Sequence, residues 1–234
     1  MKRFYFRNIT ALFIKQIKDT LKNLQVLVLF FIFPLLGVVM TKALPTSEMG
    51  GPLFFISIFA TMHCVFAPLE AAASVIAEEK EKNTLRILIM SNVTMTEYLI
   101  AIGGFILVIT MLTGATFLFI DRLIMENGLV FMSSLMGGCL VSTVFGMCLG
   151  LKARNMSAAT AIAMPCGMIF AFVPMLASFN QDIERFSRYT YGQQISFFIR
   201  DMATTTSGWL IITGNLLVLL IIGLLLYRRV KTRE

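Results

Sequence analysis

The sequence predicts an all-α integral membrane protein with six transmembrane helices, an N-terminal amphipathic interfacial helix, and a re-entrant or interfacial helical segment before the last span. Three observations carry this reading. Of 234 residues, 57% are hydrophobic and only 14% are charged, where an ordinary soluble domain has about 25% charged. The mean hydropathy is +0.82. Apolar runs of span length succeed one another with charged connections between them, and a bilayer core roughly 30 Å thick takes about 20 apolar residues of helix. Six such runs leave no room for an independent soluble domain, so residues 1–234 are read as a single transmembrane domain.

Taken in order, residues 4–22 read as an amphipathic helix. Phe6, Ile9, Phe13, Ile17 and Leu21 share one stripe, and Arg7, Lys15, Lys18 and Lys22 lie on the other side. A basic helix of that kind lies in the interface on an anionic leaflet, in contact with membrane lipids. Lys2, Arg3 and Arg7 ahead of an apolar stretch imitate a signal peptide. The apolar run starts only near Leu24, is longer than an h-region and has no small-x-small cleavage site, so the N-terminus is read as uncleaved. Spans are expected over 23–41, 49–69 (continuing past Glu70 to Ala77), 98–120, 127–151, 155–181 and 209–227. Residues 180–207 are too polar to span and too aromatic to float free. They are expected to form two short helices in or dipping into the outer interface, anchored by Tyr189, Tyr191, Phe197, Phe198 and Trp209.

Six spans put both termini on one side. All of the 20 Lys and Arg except Lys42, Arg122, Arg185, Arg188 and Arg200 fall on the side of the termini, which the positive-inside rule places in the cytosol. Short loops and uncleaved insertion favour a bacterial plasma membrane. The net charge of +7 belongs to span ends facing lipid headgroups, not to a nucleic-acid surface. Cys64, Cys139, Cys148 and Cys166 lie inside apolar runs without CxxC spacing and read as packing residues, neither disulfides nor metal ligands.

The most informative stretch runs from Glu78 to Tyr98, a charged turn followed by Leu85, Leu88 and Ile89 at i, i+3, i+4 spacing. It describes a short cytosolic helix with one apolar face. With almost no other cytosolic matter to cover that face, a separate cytosolic subunit is expected to dock on it. The chain has no GxxxxGK[ST], so any ATP that drives it is bound by another subunit. There is no zinc spacing and no nucleophile with a base. Glu70 and His63 are the ionisable groups inside the second span, seven residues apart and therefore on roughly one face. An intramembrane ionisable group is a functional candidate, and a structural role is the competing reading. Pro34, Pro68, Pro165 and Pro174 favour kinks, while Gly146 and Gly150 form a GxxxG pair and Gly103-Gly104 allow close contact.

The Glu79-Lys80-Glu81 to Glu97 stretch resembles the cytosolic signature of type-2 permeases of ATP-binding-cassette exporters. Thr84, Leu85, Leu88, Ser91, Val93, Thr94 and Glu97 stand in matching places, and Asn83, Arg86 and Asn92 replace the usual Gly, acid and Pro. The plan of arm, six spans and aromatic segment is similar along the whole chain. The resemblance implies that Thr84, Leu85, Leu88, Ile89 and Ser91, with Ile9, Phe13 and Ile17 of the arm, form the dock for an ATPase subunit. It also implies a half-transporter, with a second copy or a paralogue of this chain. ATP and Mg would be bound by the partner, with no cofactor and no catalytic residue on this chain. Translocation or gating is assigned to Glu70, His63, Tyr189, Tyr191, Phe197 and Phe198. The 21 Phe and 16 Met suit an amphipathic cargo such as a lipid, a hydrophobic drug or an antimicrobial peptide. Two other readings remain open: an ion-coupled secondary transporter or channel using Glu70 and His63, and a membrane scaffold or immunity protein that binds a partner without transport.

Overall fold

The computed structural model describes residues 5–44 and 53–231. The expected helix start at Phe4, the basic Lys2 and Arg3, the span start at Met49 and the side chains of the basic tail lie outside the described residues. The elements are α1 (Phe6–Lys22), α2 (Leu24–Ala43), α3 (Phe54–Glu81), α4 (Thr84–Met90), α5 (Met95–Gly114) running into a 3₁₀ turn (Ala115–Phe119), α6 (Arg122–Glu126), α7 (Gly128–Lys152), α8 (Met156–Ala177), α9 (Gln181–Ser187), α10 (Tyr191–Asp201) and α11 (Thr206–Lys231). No strand occurs among the described residues. Six helices, α2, α3, α5, α7, α8 and α11, are long and apolar enough to cross a membrane.

Three of the span starts are closed by short polar side chains, which serve backbone donors that the helix leaves unpaired. Asn23 caps α2, Thr94 caps α5 and Asn155 caps α8, where its Oδ1 accepts from the Ala158 amide at 2.8 Å. Glu81, from the end of α3, accepts from the Met156 amide at 2.9 Å. The Lys80 ammonium donates to the carbonyls of Leu151 at 2.7 Å and Ala153 at 2.6 Å, which places a cation on the negative end of α7. These contacts correct one expectation. Glu78, Glu79, Lys80 and Glu81, expected as a charged turn ahead of the short helix, continue α3 as its last turn, and two of them pin neighbouring span ends.

The molecule is built around α3. Its most apolar stretch is 83% buried inside the molecule, against 6% for α11, 17% for α2 and 28% for α8. Helices in lipid are held by close packing, since the surroundings are as apolar as the side chains. The α3 and α7 pair meets this need with small residues. A Cβ on Gly146 would strike the Leu69 carbonyl and come within 2.8 Å of the Ala72 Cβ, and one on Gly150 would lie 2.8 Å from the Ala73 carbonyl. The GxxxG pair is therefore a seam inside the protomer. Of Gly103-Gly104, only Gly103 meets a neighbour, the flexible end of Met147.

Helix α10, expected in or dipping into the outer interface, is largely buried in the bundle. Tyr191, Gln193, Gln194, Ile195, Ser196, Phe198 and Ile199 are all buried, and the helix is lodged against α3, α7, α8 and α11. Its amphipathic polar face is satisfied internally, with Ser187 donating to Gln193 at 3.1 Å and Gln194 donating to the Arg188 carbonyl.

Candidate functional site

At the charged end of the bundle α1, α4 and the start of α5 form one packed unit. The chain leaves α3 through Asn83 at φ 55°, a left-handed position that Gly and, after it, Asn tolerate. This is the place where the resembled pattern has Gly. Helix α4 ends on Asn92 at φ 67°. The Val93 amide reaches back to the Leu88 carbonyl at 3.2 Å, the 6→1 bond of a Schellman closure. A proline, with φ held near −65°, cannot stand at such a position, so Asn92 gives a different exit from the one the resembled pattern would use.

Two residues later Thr94 opens α5 with a capping box. The Glu97 amide donates to the Thr94 hydroxyl at 3.2 Å, and the Thr94 amide donates to Glu97 Oε2 at 2.8 Å. The same carboxylate accepts from the Tyr5 amide and from Asn8 Nδ2 at 3.2 Å. Glu97 is fully buried, and it binds the first turn of α1 to the first turn of α5. Further along α1, Lys15 pairs with Glu79 of α3, beside the buried Tyr98 hydroxyl. Phe13 meets Phe105 edge to face at 5.7 Å. A cleft of about 640 Å3 runs between α1 and the end of α3, lined by Lys15, Asp19, Lys22, Glu78, Lys82 and Thr84 among others. Within it the Lys82 ammonium is held above the usual lysine range, first by its hydrogen bond to Glu78 and then by the charge of that carboxylate.

The expected dock is divided by this packing. Leu85 is buried, and Leu88, Ile89, Ile9 and Phe13 pack against the same cluster, which includes Leu12, Val93, Met95, Tyr98 and Phe105. Of the apolar knob expected to wait for a partner, Leu85 is buried and Leu88 and Ile89 are half-buried, on a helix that lies against the end of α3. Ile17 is exposed, Thr84 borders the cleft, and Ser91 is exposed with its hydroxyl on the Ile87 carbonyl at 3.0 Å. The outward face of α4 is Arg86, Ile87 and Met90, the last 76% exposed. On α1 the expected stripe also splits. Leu12, Gln16 and Thr20 face the bundle, while Phe6, Ile14, Ile17 and Leu21 point outward.

The second expected set is not gathered in one place. His63 is fully buried, with Nε2 3.0 Å from the Thr110 carbonyl and 3.2 Å from the Thr113 hydroxyl of α5. Glu70 accepts from Ser74 at 3.1 Å and lies in a crevice between α2, α3 and α8. Seven residues apart on one helix, the two contact different neighbours. Tyr191 accepts from Ser142 of α7 at 3.0 Å and stacks on Phe170 at 5.8 Å. Phe198 lies 5.5 Å from Trp209, and Phe197 sits beneath the Arg200 guanidinium at 5.2 Å. Tyr189 is exposed beside Tyr191 at the rim of a cavity of about 400 Å3 between α7, α8, α10 and α11.

Glu97, Lys15, Glu79 and Lys80 were absent from the expected site, although the Thr94-x-x-Glu97 spacing of a capping box stands in the sequence. No protein-family model matches the chain, and no curated protein matches it.

Proposed function

We propose that the chain is the membrane-spanning permease subunit of an ATP-driven exporter, working as a pair with a second copy or a relative and with two cytosolic ATPase subunits that bind ATP and Mg. The observation that supports it most directly is the unit at the charged end. Helix α4 presents Arg86, Ile87 and Met90 outward, it lies against α3 with Leu85 buried in the apolar cluster that α1 and α5 share, and Glu97 joins the first turns of those two helices. A push on the outer face of α4 would pass to the end of α3, against which it lies, and through the shared apolar cluster to the start of α5. In this reading the charged end is cytosolic, α1 lies in the inner interface with Phe6, Ile14, Ile17 and Leu21 towards lipid, and α10 is the re-entrant segment at the far side. ATP drives the switch only through a difference in ATPase affinity for the two states of α4. The exposed apolar flanks of α2, α8 and α11 face lipid or the second copy.

The test is a mild-detergent pull-down from the native host, with mass spectrometry of the proteins recovered. Met90→Asp combined with Ile87→Asp is expected to insert normally and lose the co-purifying P-loop ATPase, because it puts charges into an apolar contact. Leu88→Asp, by contrast, is expected to destabilise the chain itself. Retention of the ATPase by the double variant would reject the docking face. Ion coupling through Glu70 is the second reading, favoured by the unpartnered Glu70 Oε2. Transport that survives ATP depletion and is lost in Glu70→Gln would establish it instead.

A further inference from the structure

Midway along α3 a carboxyl stands without a cation in an apolar wall. Helices α2 and α8 each pack along α3, and between them lies a crevice of about 290 Å3 bordered by Leu29, Phe33, Glu70, Ser74, Thr160 and Met164. Glu70 is only 6% exposed. Its Oε1 accepts from the Ser74 hydroxyl at 3.1 Å, and that hydroxyl lies 3.4 Å from the Thr160 hydroxyl. Its Oε2 is buried with no hydrogen-bond partner. Among the described residues no Lys, Arg or His forms an ion pair with it. At about 1.5 Å per residue, eleven residues of helix put it roughly 16 Å from the charged end of α3, beyond the reach of the lysines there.

A carboxylate in such a place is unstable unless a cation joins it, and as a neutral acid it would still leave an oxygen unserved. A hard metal ion takes about six or more oxygens, and the crevice offers a carboxyl and two hydroxyls. The walls on both sides are aliphatic and aromatic. What fits is a cation attached to an apolar body. An ammonium supplies several donors to a carboxylate at once, and a chain attached to it would lie along Leu29, Phe33 and Met164. The volume is near the small end of ligand pockets, roughly 300 Å3, enough for the head and first carbons, with the remainder along the open flank of α2 and α8.

The geometry points to this crevice as a binding site for a single-chain ammonium amphiphile, with Glu70 pairing the ammonium and Ser74 and Thr160 holding the carboxylate in place. It names a cargo class for the exporter proposed above and rests on that reading only for the word cargo. His63, committed to α5, takes no part.

The full chain in phosphatidylcholine nanodiscs is titrated with radiolabelled dodecylammonium, and with dodecanol as the uncharged counterpart. Saturable dodecylammonium binding is expected, at least about tenfold weaker in Glu70→Gln, with dodecanol weak in both. Equal affinity of the variant and the parent would overturn the assignment, as would equal binding of the two probes by the parent. Displacement of the probe by phosphatidylethanolamine in the disc would also overturn it and make a structural lipid the occupant. In a Cys166→Ser background, N-ethylmaleimide labelling of Met156→Cys, which also borders the crevice, is expected to slow with dodecylammonium and not with dodecanol; equal rates would overturn the site without relying on the Glu70 variant. No ATPase is present in these assays. Failed binding with a successful pull-down rejects the cargo class alone, and the reverse result rejects the exporter reading alone.

Discussion

Glu97 shows how one side chain can set the order of several elements. Its two oxygens serve the Thr94 and Tyr5 amides and the Asn8 amide group, and the Glu97 side chain itself has no exposed surface. Glu97→Gln keeps the volume, removes the charge that strengthens these bonds, and replaces one acceptor oxygen by a donor facing amide donors. A charge-assisted hydrogen bond contributes about 1.5–3 kcal/mol. The variant is expected to lose on the order of 2 kcal/mol, with a lower melting temperature in detergent and faster proteolysis of α1. An unchanged melting temperature and unchanged proteolysis would show that the arm is held by its apolar contacts alone. The capping box was legible from Thr94 and Glu97 themselves, because it is a local pattern. The reach to Tyr5 and Asn8 was not, since it crosses about ninety residues of chain.

At the scale of elements, the α3 and α7 seam is the tightest contact made by backbone. Gly146→Val is expected to force the helices apart, because the added atoms meet the Leu69 carbonyl and the Ala72 side chain instead of a flexible side-chain end. Overpacking of that kind typically costs about 1–3 kcal/mol. The measurement is the monodisperse yield of purified protein together with its melting temperature. Gly104→Ala, with nothing within 4 Å of the added atom, is the matched control and is expected to behave as the parent. Parent-like behaviour of both would contradict the seam. The GxxxG spacing was readable, but the choice between an internal seam and a dimer contact depends on which helix is opposite. The same ambiguity affected α4. Its i, i+3, i+4 stripe fixed which side is apolar, and only the tertiary packing decided how much of it the chain itself buries.

Over the whole molecule, the charge distribution sets the orientation. Both termini are expected in the cytosol, so fusing green fluorescent protein after Glu234 should give a fluorescent cell, and a phosphatase fused there should be inactive. A phosphatase inserted in the α8 to α9 connection should be active. The opposite pattern would invert the molecule and remove the charged end from any cytosolic ATPase.

The sequence by itself determined the six long apolar helices and the two short helices before α11, because bilayer thickness and helix rise act on neighbouring residues. Tertiary structure decided what lies opposite each face. It put α3 at the centre, set Leu85 inside the apolar cluster that α1 and α5 share, drew α10 into the bundle, and gave His63 and Glu70 different neighbours. The physical reason is that every apolar face in this chain has two acceptable surroundings, lipid or another helix, of nearly equal hydrophobicity. Only close packing and the pairing of buried polar groups distinguish them, and both depend on residues far apart in the chain.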